Sequence, residues 1–446
     1  MKTAKYLVLA FFLIQSFVFA SSADYPQNII LIIVDGGGFN HINAADYYTY
    51  GKKGGQPFEK FPVKLAVTTY SAGGSYEPKK VAQDFNYVKT GYTDSAAAAT
   101  AMSTGTKTPN GAIGIDANGS RLEHIIERCE KLGLSTGVVT TVPISHATPA
   151  GFVAHKQSRS SYQEIADEMI NTSALEVLFG CGNPLFDDDG KKLDRPGNFK
   201  YVGSKEIWNS LLEGSVGADA DGDGTADKWT LVQDKKEFLN LARGRTPKRV
   251  LGIAQAAATL QEKRSGNSVV PFDVPFNQNV PSLPEMTKAA LNVLDDDPDG
   301  FFVMIEAGAA DWASHDNNGA RMIEEMTDFS GAAGAVIDWI ETKSSWQKSL
   351  LIITADHECG CLTGLQKDKR KIRPVINNGK GKLPQMQLSS TNHTNSIVFF
   401  FAKGPGSKLF TKKAKSKDPV YGSYIDNTDI AKVIFAILEQ RTLQVK

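Results

Sequence analysis

Six short runs of β-branched, aliphatic and aromatic residues recur along this chain, at Asn28 to Val34, Ser135 to Thr141, Ala174 to Phe179, Phe301 to Ile305, Leu350 to Thr354 and Ser396 to Phe401. Most are apolar throughout and lack the alternation of a strand with one wet face. Strands of that kind are covered on both sides, as in a parallel sheet between helices. Helical periodicity fills the intervals, over Ser95 to Ser103, Arg121 to Leu132, Tyr162 to Ile170 and Arg321 to Thr342. The pattern predicts an α/β fold with a mostly parallel central sheet and helices on both faces. Ligands of such sheets collect beyond the carboxyl ends of the strands, so the polar residues after each run carry the functional information.

The chain has 446 residues, enough for one large α/β domain with insertions or for two to three smaller domains. Asp187 to Pro284 is rich in Gly, Asp, Asn, Pro and Lys and shows few clean periods, so residues 187–284 are expected to be insertions outside the core. Lys367 to Gln387 reads as a surface loop and Lys408 to Lys417 as a solvated basic face. At the start, Lys2 and Lys5 precede an apolar run from Tyr6 to Ile14, and Val18-Phe19-Ala20 follows. That order predicts a signal peptide over residues 1–20, a mature domain over 21–446, and a periplasmic or secreted protein. A membrane anchor is the alternative, but Gln15 and Ser16 interrupt the run well short of the ~20 apolar residues of a spanning helix. No later segment suggests a span.

Lys and Arg number 49 against 49 Asp and Glu, which disfavours nucleic-acid binding by counterion release. The four cysteines, Cys129, Cys181, Cys359 and Cys361, could form two disulfides in an oxidising compartment, and buried or free thiols are an equal expectation. No CxxC is present, so a cysteine-based zinc site is not expected.

Five of the six runs end beside a residue able to bind a metal or to anchor one that does. The first stops at Asp35-Gly36-Gly37-Gly38, a carboxylate followed by glycines that permit close backbone approach. Another stops at Glu306, and Asp311 and His315 follow at a spacing that lets both point one way from a helical turn. Asp356 and His357 follow the run ending at Thr354, and His393 precedes the last run. Imidazole with carboxylate suits Zn²⁺, whereas carboxylate and hydroxyl oxygens suit Mg²⁺. Any one of these residues is more simply a helix cap or a surface side chain; their number argues otherwise. Of seven histidines, His146, His155, His315, His357 and His393 lie in strand-to-loop contexts, while His41 and His124 do not.

Thr93 to Gly105 places the Ser95 hydroxyl at the start of an Ala-rich helix, where free N–H groups and the helix dipole favour a phosphate oxygen. A plain helix cap is the local alternative. Arg159 could grip two phosphate oxygens with its planar guanidinium, although taken alone it reads as a surface arginine. Separately, Asp219, Asp221, Asp223, Thr225 and Asp227 match the first nine positions of a calcium loop. Thr230 stands at the twelfth position in place of Glu, so any Ca²⁺ there is expected to be weak and structural, with an acidic surface turn equally expected.

Across nearly the whole mature chain these residues resemble the alkaline phosphatases. Thr93 to Gly111 (TDSAAAATAMSTGTKTPNG) is similar to the family's nucleophile segment, and Glu306 to Asn318 (EAGAADWASHDNN) to its zinc and magnesium segment. Thr354 to His357, Ser145 to Ala150 and His393-Thr394 resemble the remaining motifs in the family's order. The resemblance implies an alkaline phosphatase-like fold and an enzyme that hydrolyses small phosphate monoesters through a phosphoserine on Ser95. It further implies one zinc on Asp311, His315 and His393, and a second on Asp35, Asp356 and His357. A magnesium on Asp35, Thr148 and Glu306 would complete the set, with Arg159 on the phosphoryl oxygens.

His146 and Trp312, close to these ligands, resemble the cold-active bacterial branch. Imidazole anchors hydrated Mg²⁺ less well than carboxylate does, so the third metal is expected to bind weakly. The family's Gly-Asp-Gly-Met-Gly is Val34-Asp35-Gly36-Gly37-Gly38 here, a departure that keeps the carboxylate. The family is commonly homodimeric, with monomers among its members. The competing readings are a phosphodiesterase of the same superfamily and a non-catalytic extracellular phosphate- or calcium-binding protein. A diesterase has little use for Glu306 and Thr148, and a binding protein has none for Ser95.

Overall fold

The computed structural model describes residues 25–220, 223–365 and 372–445. The expected signal peptide over 1–20 lies outside the described residues, as do Asp221 and positions 367–371. The first strands are β1 (Asn28–Val34), β2 (Val63–Thr68), β3 (Ser135–Pro143) and β4 (Val177–Cys181). β5 (Gly217–Ala218) and β6 (Asp227–Lys228) pair as a small ladder, and β7 (Thr230–Val232), β8 (Val250–Ile253), β9 (Phe301–Ala307) and β10 (Ser349–Ala355) follow. β11 (Glu358–Cys359) pairs with β12 (His393–Thr394), and β13 (Val398–Lys403), β14 (Ser416–Asp418) and β15 (Gly422–Asp426) come last.

One eleven-stranded sheet has the order β14-β15-β2-β13-β10-β1-β9-β3-β4-β8-β7. From β10 to β7 each neighbouring pair is parallel, while β13 runs antiparallel to both β10 and β2. Every residue of β1, β9 and β10 is buried, as expected of strands sandwiched by helices. The helix Gly319–Thr342 packs with Leu283–Leu294, Phe39–Tyr50 and Ala309–His315 in one layer. Thr428–Val445 packs with Ser95–Thr104 and Ile125–Glu130 in another.

Residues 187–284 depart from the expectation that they lie outside the core. They supply β7 and β8, which close one edge of the main sheet, and they bury Trp208 and Phe238. The expected helix over Arg121 to Leu132 is shorter, Ile125–Glu130, because Glu127 reaches back to the backbone N–H of His124 and starts the helix there. All four cysteines are buried thiols. Among the described residues no helix is long and apolar enough to cross a membrane.

Candidate active site

The site is built where three neighbouring parallel strands end together. Val34 of β1 is in register with Ala355 of β10 and Ala307 of β9, so Asp35 and Asp356 leave the sheet at one level. Glu306 lies one residue deeper, opposite Ile33 and Thr140. The Asp356 carboxylate is fixed by two backbone donors, Gly36 N at 3.1 Å and His357 N at 2.8 Å. Gly36 has φ +75, and a Cβ there would come within 2.7 Å of Asp311 Cα. The glycine therefore lets the β1 loop close on the Asp311 backbone.

Asp311 and His315 occupy one face of the helix Ala309–His315, with His315 Nε2 3.2 Å from Asp311 Oδ2. Pairing of Cys359 with His393 across β11 and β12 brings the third imidazole in. His393 Nε2 then lies 3.3 Å from Asp311 Oδ1 and 3.1 Å from His315 Nε2, and its ring stacks on His357 with centroids 3.6 Å apart. Each outer nitrogen faces a carbonyl, His393 Nδ1 to Thr93 O at 2.9 Å and His315 Nδ1 to Thr391 O at 2.6 Å. A carbonyl only accepts, so both Nδ1 atoms carry hydrogen and both Nε2 atoms face inward.

Ser95 opens the helix Ser95–Thr104 behind an Asp94 cap, whose Oδ1 accepts from Ala97 N at 3.0 Å. The buried Ser95 hydroxyl is 3.2 Å from His357 Nε2, which is itself 3.4 Å from Asp35 and 3.1 Å from Asp356. The other Asp94 oxygen holds Arg159 Nη1 at 3.1 Å. These groups face a cleft of about 410 Å³ lined by Ser95, Arg159, Trp312, His315 and His393. His146 is buried at its edge, its ring 5.4 Å from that of Trp312. Deeper in, Thr140 donates to Glu306. The Thr148 hydroxyl sits near enough to lower the Glu306 pKa without meeting hydrogen-bond geometry.

Crowding of buried carboxylates dominates the electrostatics. Burial, then Asp356 and Asp311, push Asp35 well above the usual carboxylate range. Burial and Asp311 lift Asp356 to about 7, and burial lifts Glu306 to about 7 as well. Asp311 goes the other way: burial opposes it, but His393 and His315 hold it well below its ordinary value. Its hydrogen bond to His315 raises that imidazole to about 9. Burial and the charge of His393 keep His357 neutral.

Both oxygens of Asp35, Oδ1 of Asp311, Oδ2 of Asp356, Oε1 of Glu306 and the Thr148 hydroxyl are buried without a hydrogen-bond partner. A carboxylate left so costs more than ~1–3 kcal/mol. Positive charge must also sit between the two Nε2 atoms and Asp311, as protons or as a metal ion. The donor set therefore fits divalent cations. Ligand atoms of Asp35, Asp311 and His357 lie within 4.8 Å of one another, as do those of Asp311, His315, Cys359 and His393.

Asp94, Thr140 and Cys359 join the site without having been singled out for it. Cys359 lies two residues beyond His357, on the strand facing His393, and its thiol rests against Asp311. Its spacing of two residues from His357, which in an extended chain returns to the same face, is the available signal. His155, grouped by context with the candidate ligand histidines, stands apart and packs against His124, the two rings tilted with centroids 4.3 Å apart. In the acidic loop Asp219 accepts from the backbone of Asp223 and Gly224, Asp223 accepts from Thr225, and Asp227 pairs with Lys248 at 3.0 Å.

The alkaline phosphatase family model matches residues 26–417. Alkaline phosphatase 3 of Bacillus subtilis is 32% identical over 345 residues, covering 76% of this chain, which spans 62% of that protein's length. Alkaline phosphatase of Escherichia coli is 30% identical over 414 residues, covering 86% of this chain and 83% of its own. The solved alkaline phosphatase of the Antarctic bacterium TAB5 has TM-score 0.65 and 26% identity, over 93% of this chain and 99% of that one. A histidine-to-aspartate variant of the TAB5 enzyme, with Mg bound in its M3 site, has TM-score 0.63 and 25% identity, over 93% and 98% of the chains. With the family model spanning most of its length and these relatives aligned along it, this chain belongs to the alkaline phosphatase family, whose members are metal-dependent phosphatases.

Proposed function

We propose that this protein is an exported phosphomonoesterase that forms a phosphoserine on Ser95 and works with two zinc ions and one magnesium. The observation that carries the reading is Ser95 Oγ at a helix start and on the wall of the cleft, 3.2 Å from His357, which itself stands beside the buried, unpartnered carboxylate oxygens of Asp35 and Asp356. One zinc is held by Asp311, His315 and His393, the other by Asp35, Asp356 and His357, and the magnesium by Asp35, Thr148 and Glu306. Bound there, the cations neutralise phosphoryl oxygens and favour ionised hydroxyls, the main requirements of phosphoryl transfer.

Ser95 Oγ gives up its proton and attacks phosphorus in line, the new Oγ–P bond forms as the ester P–O bond breaks, and the electron pair leaves with the alcohol oxygen, which takes up a proton from solvent. Arg159, aimed by Asp94, grips two non-bridging oxygens through this step and the next. Water then attacks phosphorus from the vacated side, releasing inorganic phosphate and restoring the serine hydroxyl. His146 and Trp312 wall the cleft beside these groups and influence the magnesium from outside its ligands. Residues 21–446 are read as one alkaline phosphatase-like domain, with 187–284 and 367–387 as elaborations of it and 1–20 as a cleaved export signal to the periplasm or beyond. A calcium on the 219–227 loop is a separate part of the reading, checked by native mass spectrometry before and after chelation.

Ser95→Ala should lower turnover of a chromogenic phosphate monoester at alkaline pH by at least ~10³-fold while zinc and magnesium content stays at the wild-type level. Undiminished turnover in that variant, or purified active protein without zinc, would overturn the proposal.

A further inference from the structure

A second histidine and carboxylate cluster lies outside the cleft and shares no residue with it. His124 caps the helix Ile125–Glu130, and Glu127 stands one turn on. His155 comes from the segment leading to Arg159. His124 Nδ1 is 3.5 Å and His155 Nε2 3.7 Å from the same oxygen, Glu127 Oε2. Ligands held ~2.1 Å from a tetrahedral ion are ~3.4 Å apart, so these separations need little closing. We propose that His124, Glu127 and His155 bind a divalent transition-metal ion of the zinc class.

The second observation is His124 itself. Its ring is fully buried, and neither nitrogen has a hydrogen-bond partner. Gly114 is kept free of a side chain at this point, since a Cβ there would lie 2.6 Å from His124 Nε2. A buried imidazole with two idle nitrogens is costly unless something engages one of them.

The surroundings are prepared for a cation. Burial keeps His124 below its ordinary pKa and hence neutral, with a lone pair to offer. Burial would raise Glu127, but its contacts with His124 and the nearby His155 bring it down to about 2. The backbone N–H of His124 already holds Glu127 Oε2 at 2.9 Å, which fixes the carboxylate in place. His155 Nδ1 faces Glu168 Oε1 at 3.0 Å, the outer carboxylate that orients many metal-bound imidazoles. Coordination through Nε2 would replace the present contact of that nitrogen with Leu122 O, at 2.9 Å. Arg121 and Lys156 engage the outer oxygens, Glu127 Oε1 at 3.5 Å and Glu168 Oε2 at 2.8 Å, leaving Glu127 Oε2 turned to the histidines.

An ion here would staple the 111–127 loop to the segment that carries Arg159. Those segments already touch where Arg159 N donates to Gly111 O at 2.7 Å and Ile113 bridges Lys156.

The test uses crystals of the full mature protein grown in excess Zn²⁺ and measured on both sides of the zinc absorption edge. An anomalous peak within about 2.5 Å of His124, Glu127 and His155 is expected, and elemental analysis should show one zinc per chain fewer in Glu127→Gln and in His124→Asn/His155→Gln. Anomalous peaks near Asp311 and His357 with none at His124, or equal zinc content in wild type and the folded Glu127→Gln variant, would overturn it.

Discussion

Asp311 divides its carboxylate between two imidazoles, one oxygen toward His393 and the other toward His315. Small changes in its orientation therefore reach both imidazoles, and the Cys359 thiol rests against it as a brace. Cys359→Ala should weaken zinc retention by ~10–100-fold in chelator competition, and Cys359→Ser, which keeps a donor, by much less. Equal retention in all three proteins would remove the bracing role. His146 poses a different question. Burial, then the charge of Arg159, holds its pKa down to about 3, so it lines the cleft as a neutral ring. His146→Asp is expected to reach half-maximal activation at a several-fold lower Mg²⁺ concentration; an unchanged Mg²⁺ profile would end that idea.

At the scale of elements, legibility followed burial. The seven residues of β1 stand where the apolar run indicated, because a strand buried on both faces writes its whole length in one residue class. β2 was missed: VKLAVT has Lys64 exposed among buried neighbours and no flanking contrast to mark it. β7 and β8 do not show in the sequence for another reason, since strands of three and four residues inside a polar stretch are too short to establish a period. Carboxylates at strand ends, such as Asp35 and Asp356, are readable in the sequence; the place of Thr140 is not, because only the pairing of β3 with β9 sets it against Glu306.

The opposite end of the same strands holds a pH-dependent feature. Burial pushes Glu130, ahead of β3, up to about 9 and Glu176, ahead of β4, up to about 8 from an ordinary 4.5. Between pH 4.5 and 8 the folded protein thus binds protons that the unfolded chain has released, and this contribution to stability falls as pH rises. The slope is at most ~1.4 kcal/mol per pH unit for each group. Wild type should lose more apparent Tm between pH 5 and pH 8 than Glu176→Gln does, and parallel losses would contradict the assignment.

For the whole molecule, the mutual repulsion of Asp35, Asp356, Asp311 and Glu306 makes cation binding and folding one equilibrium. A ligand at 100 times its Kd stabilises the folded state by ~2.7 kcal/mol. Chelation should therefore lower the apparent Tm by several degrees, with recovery on adding Zn²⁺ and Mg²⁺; a melting curve indifferent to chelator would refute the linkage. The strand ends that carry the site are adjacent in space, yet they are far apart along the chain, from Asp35 to His393. During synthesis on a ribosome, then, no partial product contains the reaction centre. A polypeptide halted before position 393 would lack the imidazole that faces Asp311 and His315 however well its early strands had formed, so the cluster is complete only late in translation.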